Sequence, residues 1–243
     1  MEASLLPAVL NKSDVYREVA PPAWAREAIA CFWTRRGDGE SVRVIPDGSV
    51  DIVWREGFGA TVAGPDTGAW ISRTAPDALI VGARFRAGAG QALGLPLHEL
   101  RDTRIPLDAL GLDLDAELDP AAAPKAVADL ALRLAVDTPP DAAVQEAARL
   151  LCDPGSRVEE VAATLGFSDR QLRRRFLATV GYGPKTLQRI LRMRRFLAAA
   201  GAGNLARGAL SAGYADQAHL TREVRALTGL TPGEIAGPRP TAT

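Results

Sequence analysis

Two stretches, SDRQLRRRF at 168–176 and DQAHLTREV at 216–224, space their arginines so that a helix would carry them on one side. At about 100° per residue, with Leu172 taken as the inward direction, Phe176 lies about 40° away, while Arg170 and Arg174 lie about 160° and 200° away. Arg173 flanks that outward ridge. The same arithmetic turns Leu220 and Val224 inward and Ala218, Thr221, Arg222 and Arg225 outward. A guanidinium is a planar fork of N–H donors that matches the O6 and N7 acceptors of guanine or the oxygens of a phosphate, and a small Ala or Thr admits a thymine methyl. The chemistry implied is hydrogen bonding to base edges and backbone of double-stranded DNA.

Such ridges need rigid supports, and the sequence repeats them. Leu172 and Leu220, Arg174 and Arg222, Gly181 and Gly229, and Pro184 and Pro232 all stand 48 positions apart. Ser168 and Asp216 are in register too, and each is a good helix N-cap. An amphipathic segment ending in a glycine turn precedes each cap: VEEVAATLGF in the first unit, LARGALSAGY in the second. Helix, short turn and capped second helix is the helix-turn-helix plan. Helices are predicted at 141–151, 157–165, 168–180, 184–199, 204–211 and 216–228. The fourth, PKTLQRILRMRRFLAAA, would be a rod of about 24 Å, able to hold two ridges near the spacing of about 34 Å between successive grooves. From it Lys185 and Arg195, with Arg189, Arg192 and Arg194, are placed to reach phosphates.

The charge distribution agrees. The 243 residues carry 29 basic and 29 acidic side chains, but residues 1–139 hold 14 basic against 20 acidic, and residues 140–243 hold 15 against 9. A basic C-terminal part fits a polyanionic partner. Because 26 of the 29 basic residues are Arg, placement carries more information than number. The start of the chain lacks the features of a secretory signal, and no apolar run approaches the roughly 18 residues of a membrane span. The expectation is a cytoplasmic protein with no membrane contact. The two cysteines, Cys31 and Cys152, are read as small buried residues, and with only His98 and His219 available neither a disulfide framework nor a metal site is expected, so no metal or cofactor is assigned.

The first half has a different texture. IACFWTR, SVRVI, SVDIVWR, ATVAG, AWISR and ALIVGARF read as short strands, with Pro46-Asp47-Gly48-Ser49 as a hairpin turn between two of them. GQALGLPLHEL and LDALGLDLDAEL read as short helices, and AAAPKAVADLALRLAVD as an amphipathic one with Val127, Leu130 and Leu134 on one face. TPPD at 138–141 marks the boundary. The fold class is therefore α+β: a small N-terminal β domain with short helices over 1–138, and an all-α domain with two helix-turn-helix units joined by a linker helix over 139–243.

Residues 157–236 resemble the DNA-binding domain of the AraC family of bacterial transcription regulators, on the strength of VEEVAATLGFSDRQLRRRF, VGYGPKTLQRILRMRRF and GYADQAHLTREVRALTGLTPGEI. The resemblance implies base reading by Arg170, Arg174, Ala218 and Arg222. Two departures are Val224, where the family usually has Phe, and Gly208, which is expected to interrupt its helix. The first half, especially RVIPDGSVDIVW and VGARFRAGAGQALGLPLHELRDTRIPLDALG, resembles an uncharacterised N-terminal domain that accompanies this module and whose relatives are described as cupin-like. Cupin enzymes hold a metal with several histidines and this region has only His98, so a sensor or dimerisation domain is expected, with a small-molecule effector, a second copy of the chain and RNA polymerase as further partners.

All four tryptophans lie in the first half. Trp33, Trp54 and Trp70, with Arg84, are the candidates for an effector pocket, since such sites are mostly apolar with a few polar groups. An enzymatic N-terminal half, dependent on a metal or on Cys31, is the alternative. Against it, no nucleophile–base pair, phosphate-binding loop or metal cluster can be assembled from the residues.

Overall fold

The computed structural model describes residues 16–114, 118–200 and 205–236. Its N-terminal half is β-rich and antiparallel, as the short extended runs predict. Six strands pair in the order β1 (Tyr16–Val19), β2 (Ile29–Arg36), β7 (Leu79–Phe85), β4 (Val50–Arg55), β5 (Gly59–Ala63) and β8 (Arg104–Pro106). A separate pair is formed by β3 (Ser41–Val44) and β6 (Trp70–Arg73). β1 and β8, the two edge strands, lie outside the predicted extended runs because they lack a run of β-branched residues.

Alternation sets the core face. In β4, Val50, Ile52 and Trp54 are buried while Asp51, Val53 and Arg55 are half-buried, because successive side chains leave a strand on opposite sides. The buried set meets Val81, Ala83 and Phe85 of β7 and is closed by Val127, Leu130 and Ala131 of α1 (Ala123–Asp137). Each such enclosed side chain contributes about 1.5–3 kcal/mol. Two 3₁₀ turns, Gly90–Leu93 and Leu97–Glu99, add Leu93 and Leu97 to the same core. The LDALGLDLDAEL segment has only a 3₁₀ turn at Asp108–Leu110, and positions 115–117 lie outside the described residues.

The second half is helical: α2 (Ala142–Leu150), α3 (Val158–Thr164), α4 (Asp169–Thr179), α5 (Pro184–Ala200), α6 (Leu205–Ala212), α7 (Gln217–Thr228) and α8 (Pro232–Ala236). The first six fall within a residue or so of the periodicity-based spans, and α6 runs through Gly208 instead of breaking there. Leu172, Phe176, Leu187, Ile190, Phe196, Leu220 and Val224 share one core.

One strand-level expectation fails instructively. Pro46-Asp47-Gly48-Ser49 does not turn a hairpin: β3 pairs with β6, whereas β4 pairs with β5 and β7. Asp47 still shapes a tight turn, accepting from the Ser49 N–H at 2.9 Å, but the turn is pressed onto α5. Arg194 Nη1 donates to the Asp47 carbonyl at 3.0 Å, and Gly48, at φ 90°, sits so close to Leu187 that a Cβ would come within 2.9 Å of its methyl. Ile45, just before it, belongs to the helical core. An Asp-Gly pair favours a turn of this local shape, and its surroundings decide what the turn connects.

Candidate nucleic-acid interface

The first unit is assembled from the cap outward. Ser168 accepts from the Gln171 N–H at 3.3 Å, and the Gln171 side chain accepts from the Ser168 N–H at 2.9 Å, a reciprocal capping box that fixes where α4 begins. Leu172 and Phe176 are fully buried, which sets the helix rotation. Arg170, Arg173 and Arg174 are consequently exposed, and among the described residues none of them makes an ion pair or a side-chain hydrogen bond. Arg175, next along, is committed elsewhere: it bonds Asp141 at 2.6 Å and lies over the Phe167 ring at 5.0 Å.

In the second unit Asp216 caps α7 through the His219 N–H at 2.6 Å, and Gly229, at φ 73°, ends it. Leu220 and Val224 are buried, and Ala218, Arg222 and Arg225 are exposed. Thr221 is half-buried and its hydroxyl donates to the Gln217 carbonyl at 2.8 Å. Glu223, to which the sequence drew no attention, is the organising residue of this unit. Its carboxylate meets Arg189 at 2.7 Å, Arg192 at 3.4 Å and His219 Nε2 at 3.8 Å. Arg192 also lies over the Tyr214 ring at 5.6 Å. Helical periodicity flags the i,i+4 neighbour His219 but not the two arginines, because they come from α5.

The linker helix therefore does not offer the cationic face anticipated for it. Lys185 is exposed but faces Glu159 at 3.0 Å, a surface pair of little strength that a phosphate can displace. Arg195 is placed otherwise than expected. It is half-buried, and its guanidinium donates to the Cys152 carbonyl and, at 3.2 Å, to the Ala212 carbonyl, so it joins α5 to the end of α2 and the end of α6. Burial lowers its pKa from the usual value.

The four candidate effector residues do not come together as one pocket. Trp54 is sealed into the core beneath α1. Trp33 and Arg84 meet on the opposite side of the sheet, at Asp51: Trp33 Nε1 donates to it at 3.0 Å and Arg84 at 3.1–3.2 Å. Trp70 stands exposed on β6 beneath Arg104, whose guanidinium lies 4.7 Å from its ring centre. The reason is the strand period, which sends position 54 and position 51 to opposite faces. Burial works against the Arg84 charge, but Asp51 and Asp47 outweigh it and hold its pKa well above the ordinary value.

Cys31 is buried, and burial pushes its thiol up to about 12, which leaves almost no thiolate at neutral pH for nucleophilic work. Cys152, expected to be buried, is exposed. Among the described residues no His, Cys, Asp and Glu side chains converge as metal ligands, and no helix is long and apolar enough to cross a membrane.

Residues 161–237 match the family described as a helix-turn-helix domain, which covers both capped helices and the rod between them. This region is an AraC-type helix-turn-helix domain. AraC-type domains are DNA-binding parts of transcription regulators, in keeping with the two arginine-bearing helices. Residues 17–106 match a domain of unknown function, DUF6597, so the AraC-type domain is joined to that β-rich partner. No curated protein matches the chain. Among solved structures, ToxT from Vibrio cholerae O395 is 8% identical over 92% of this chain and 98% of that chain, with a TM-score of 0.46. Unsaturated-fatty-acid-bound wild-type ToxT from Vibrio cholerae strain SCE256 is 10% identical over 93% of this chain and 96% of that chain, with a TM-score of 0.45. Likeness at that level carries no residue role across.

Proposed function

We propose that the protein is a sequence-specific transcription regulator that binds double-stranded DNA through α4 and α7, with 139–243 as the DNA-binding domain and 1–138 as its regulatory domain. The observation that carries this reading is the pair of outward guanidinium sets, Arg170, Arg173 and Arg174 on one helix and Arg222 and Arg225 on the other, which have no ion-pair partner among the described residues. A cation kept exposed and unpaired at a fixed place on a rigid helix is poised for an external anion or acceptor. Ala218 and Thr221 supply close approach on α7, and Lys185 a backbone contact. Such a protein works in the cytoplasm, beside the DNA.

Control by the β-rich domain is supported by where it touches the reading apparatus. Arg43 Nη1 donates to the Thr228 carbonyl at the end of α7 at 3.0 Å, a cation at a helix C-terminus. Gly181, after α4, packs so tightly that a Cβ would stand 2.3 Å from Pro65. Asp47 joins α5 to the sheet, since its carbonyl takes Arg194 and its carboxylate lies 3.3 Å from Arg84. A small molecule that displaced Asp51 from Arg84 would act on that turn; pairing of two chains and contact with RNA polymerase are further routes open to this architecture.

Selection of bound sequences from a random duplex pool tests the reading. Two half-motifs are expected about one helical turn apart, with Arg174→Ala relaxing base preference in one and Arg222→Ala in the other, each by about 1–3 kcal/mol. Recovery of unenriched sequence by the wild-type chain would falsify it.

A further inference from the structure

A cleft of about 690 Å³ runs between the two halves of the chain. One wall is Thr67, Arg101 and Asp102 from loops of the β-rich half; the other includes Asp169, Arg173 and Leu177, three positions along one side of α4, with Lys185 at the start of α5. Three cations and three carboxylates line it, and half of these six are already engaged. Lys185 faces Glu159 at 3.0 Å, and Asp102 accepts from the Thr67 N–H and hydroxyl at 2.7 and 2.8 Å. Arg101 and Arg173 are exposed and make no ion pair or side-chain hydrogen bond among the described residues.

Two unpaired guanidiniums, contributed by separate halves of the chain, thus line the same open space. An exposed guanidinium without a partner gains charge-assisted hydrogen bonds from an oxyanion that enters the cleft. The position identifies the oxyanion. Arg173 precedes Arg174 and flanks the outward ridge of α4, so the cleft opens alongside the helix proposed to enter the groove, where backbone phosphates line the rim. We propose that this cleft seats a backbone phosphate of bound DNA, and that Arg101 of the β-rich half is a phosphate contact beside the first recognition helix. The proposal rests on the DNA-binding reading and extends the DNA surface beyond the AraC-type domain. Asp169, in the first turn of α4, is the one carboxylate of the lining without a cationic or hydrogen-bonding partner among the described residues, and its charge opposes an anion seated near it.

The test uses the full chain and a salt series on two duplexes, the sequence recovered by selection and a random one. Arg101→Ala is expected to weaken both equally and to make the slope of log Kobs against log salt shallower by about one, while Arg101→Lys keeps the slope because a point charge suffices for a phosphate. Arg133→Ala, an exposed cation on α1, is expected to change nothing. Wild-type slope and affinity in Arg101→Ala, alongside loss of sequence preference in Arg174→Ala, would overturn this proposal and leave the regulator reading standing. A wild-type chain that binds neither duplex overturns both. Pyrophosphate titrated at constant ionic strength separates the sources of the anion: binding that Arg101→Ala abolishes without any change in DNA affinity would make the cleft a site for a free phosphorylated ligand, contrary to the proposal.

Discussion

On α4 the outward arginines make no ion pair among the described residues, whereas at the middle of α7 Glu223 draws in Arg189 and Arg192 from the linker helix and faces His219. The inner positions differ as well: Phe176 in the first unit corresponds to Val224 in the second, and both are completely enclosed. Matching frames are therefore stabilised in different ways. The first unit relies on a large aromatic plug and a capping box, while both units leave their outward arginines without ion pairs among the described residues. The second has a smaller plug and makes up the difference with a carboxylate that pins α7 to α5.

Four substitutions probe that contrast. The largest expected effect is Phe176→Ala, which deletes a fully buried ring and should cost about 3–5 kcal/mol, against roughly half of that for Val224→Ala, read as urea midpoints at constant m-value. Equal costs would mean that the two cores are interchangeable after all. Next is Glu223→Gln, which removes the charge from a carboxylate only 13% exposed while leaving two arginines against it. A loss of about 2 kcal/mol is expected, less than for a wholly buried pair because Arg189 is partly solvated, together with weakened preference at the α7 half-motif alone. The smallest is Arg195→Ala, expected to lower stability by about 1 kcal/mol through lost hydrogen bonds to two carbonyls, with the salt dependence of DNA binding unchanged. A slope shallower by about one in that variant would restore Arg195 as a phosphate contact.

How far the residues alone could lead depended on the range of the interaction. Helix spans, caps and the outward direction of Arg170, Arg174 and Arg222 follow from periods of three to four residues and from Ser168 and Asp216, all local signals. The burial of Val50, Ile52 and Trp54 is equally local, and the same alternation separates Trp54 from Asp51, but that Asp51 meets Trp33 and Arg84 depends on how β4, β7 and β2 are paired. Glu223 and Arg195 were not legible, because a charged side chain on a helix reads as solvated until the helix that covers it is known. The same holds for Asp47 and Gly48, whose dipeptide signals a tight turn but says nothing of the partner that lies against it.

Two arginine-bearing helices on a repeated frame are written in the chain itself, since side-chain direction on a helix depends only on neighbours one turn away. Which of the remaining cations stay available was decided by tertiary packing. Arg189, Arg192 and Arg195 acquire partners more than fifteen residues distant, and Arg101 comes to line the same cleft as Arg173 by the docking of one half on the other. Coulombic and hydrogen-bond energies fall off over a few ångströms, and sequence separation carries almost no information about distances that short once the chain has folded back on itself.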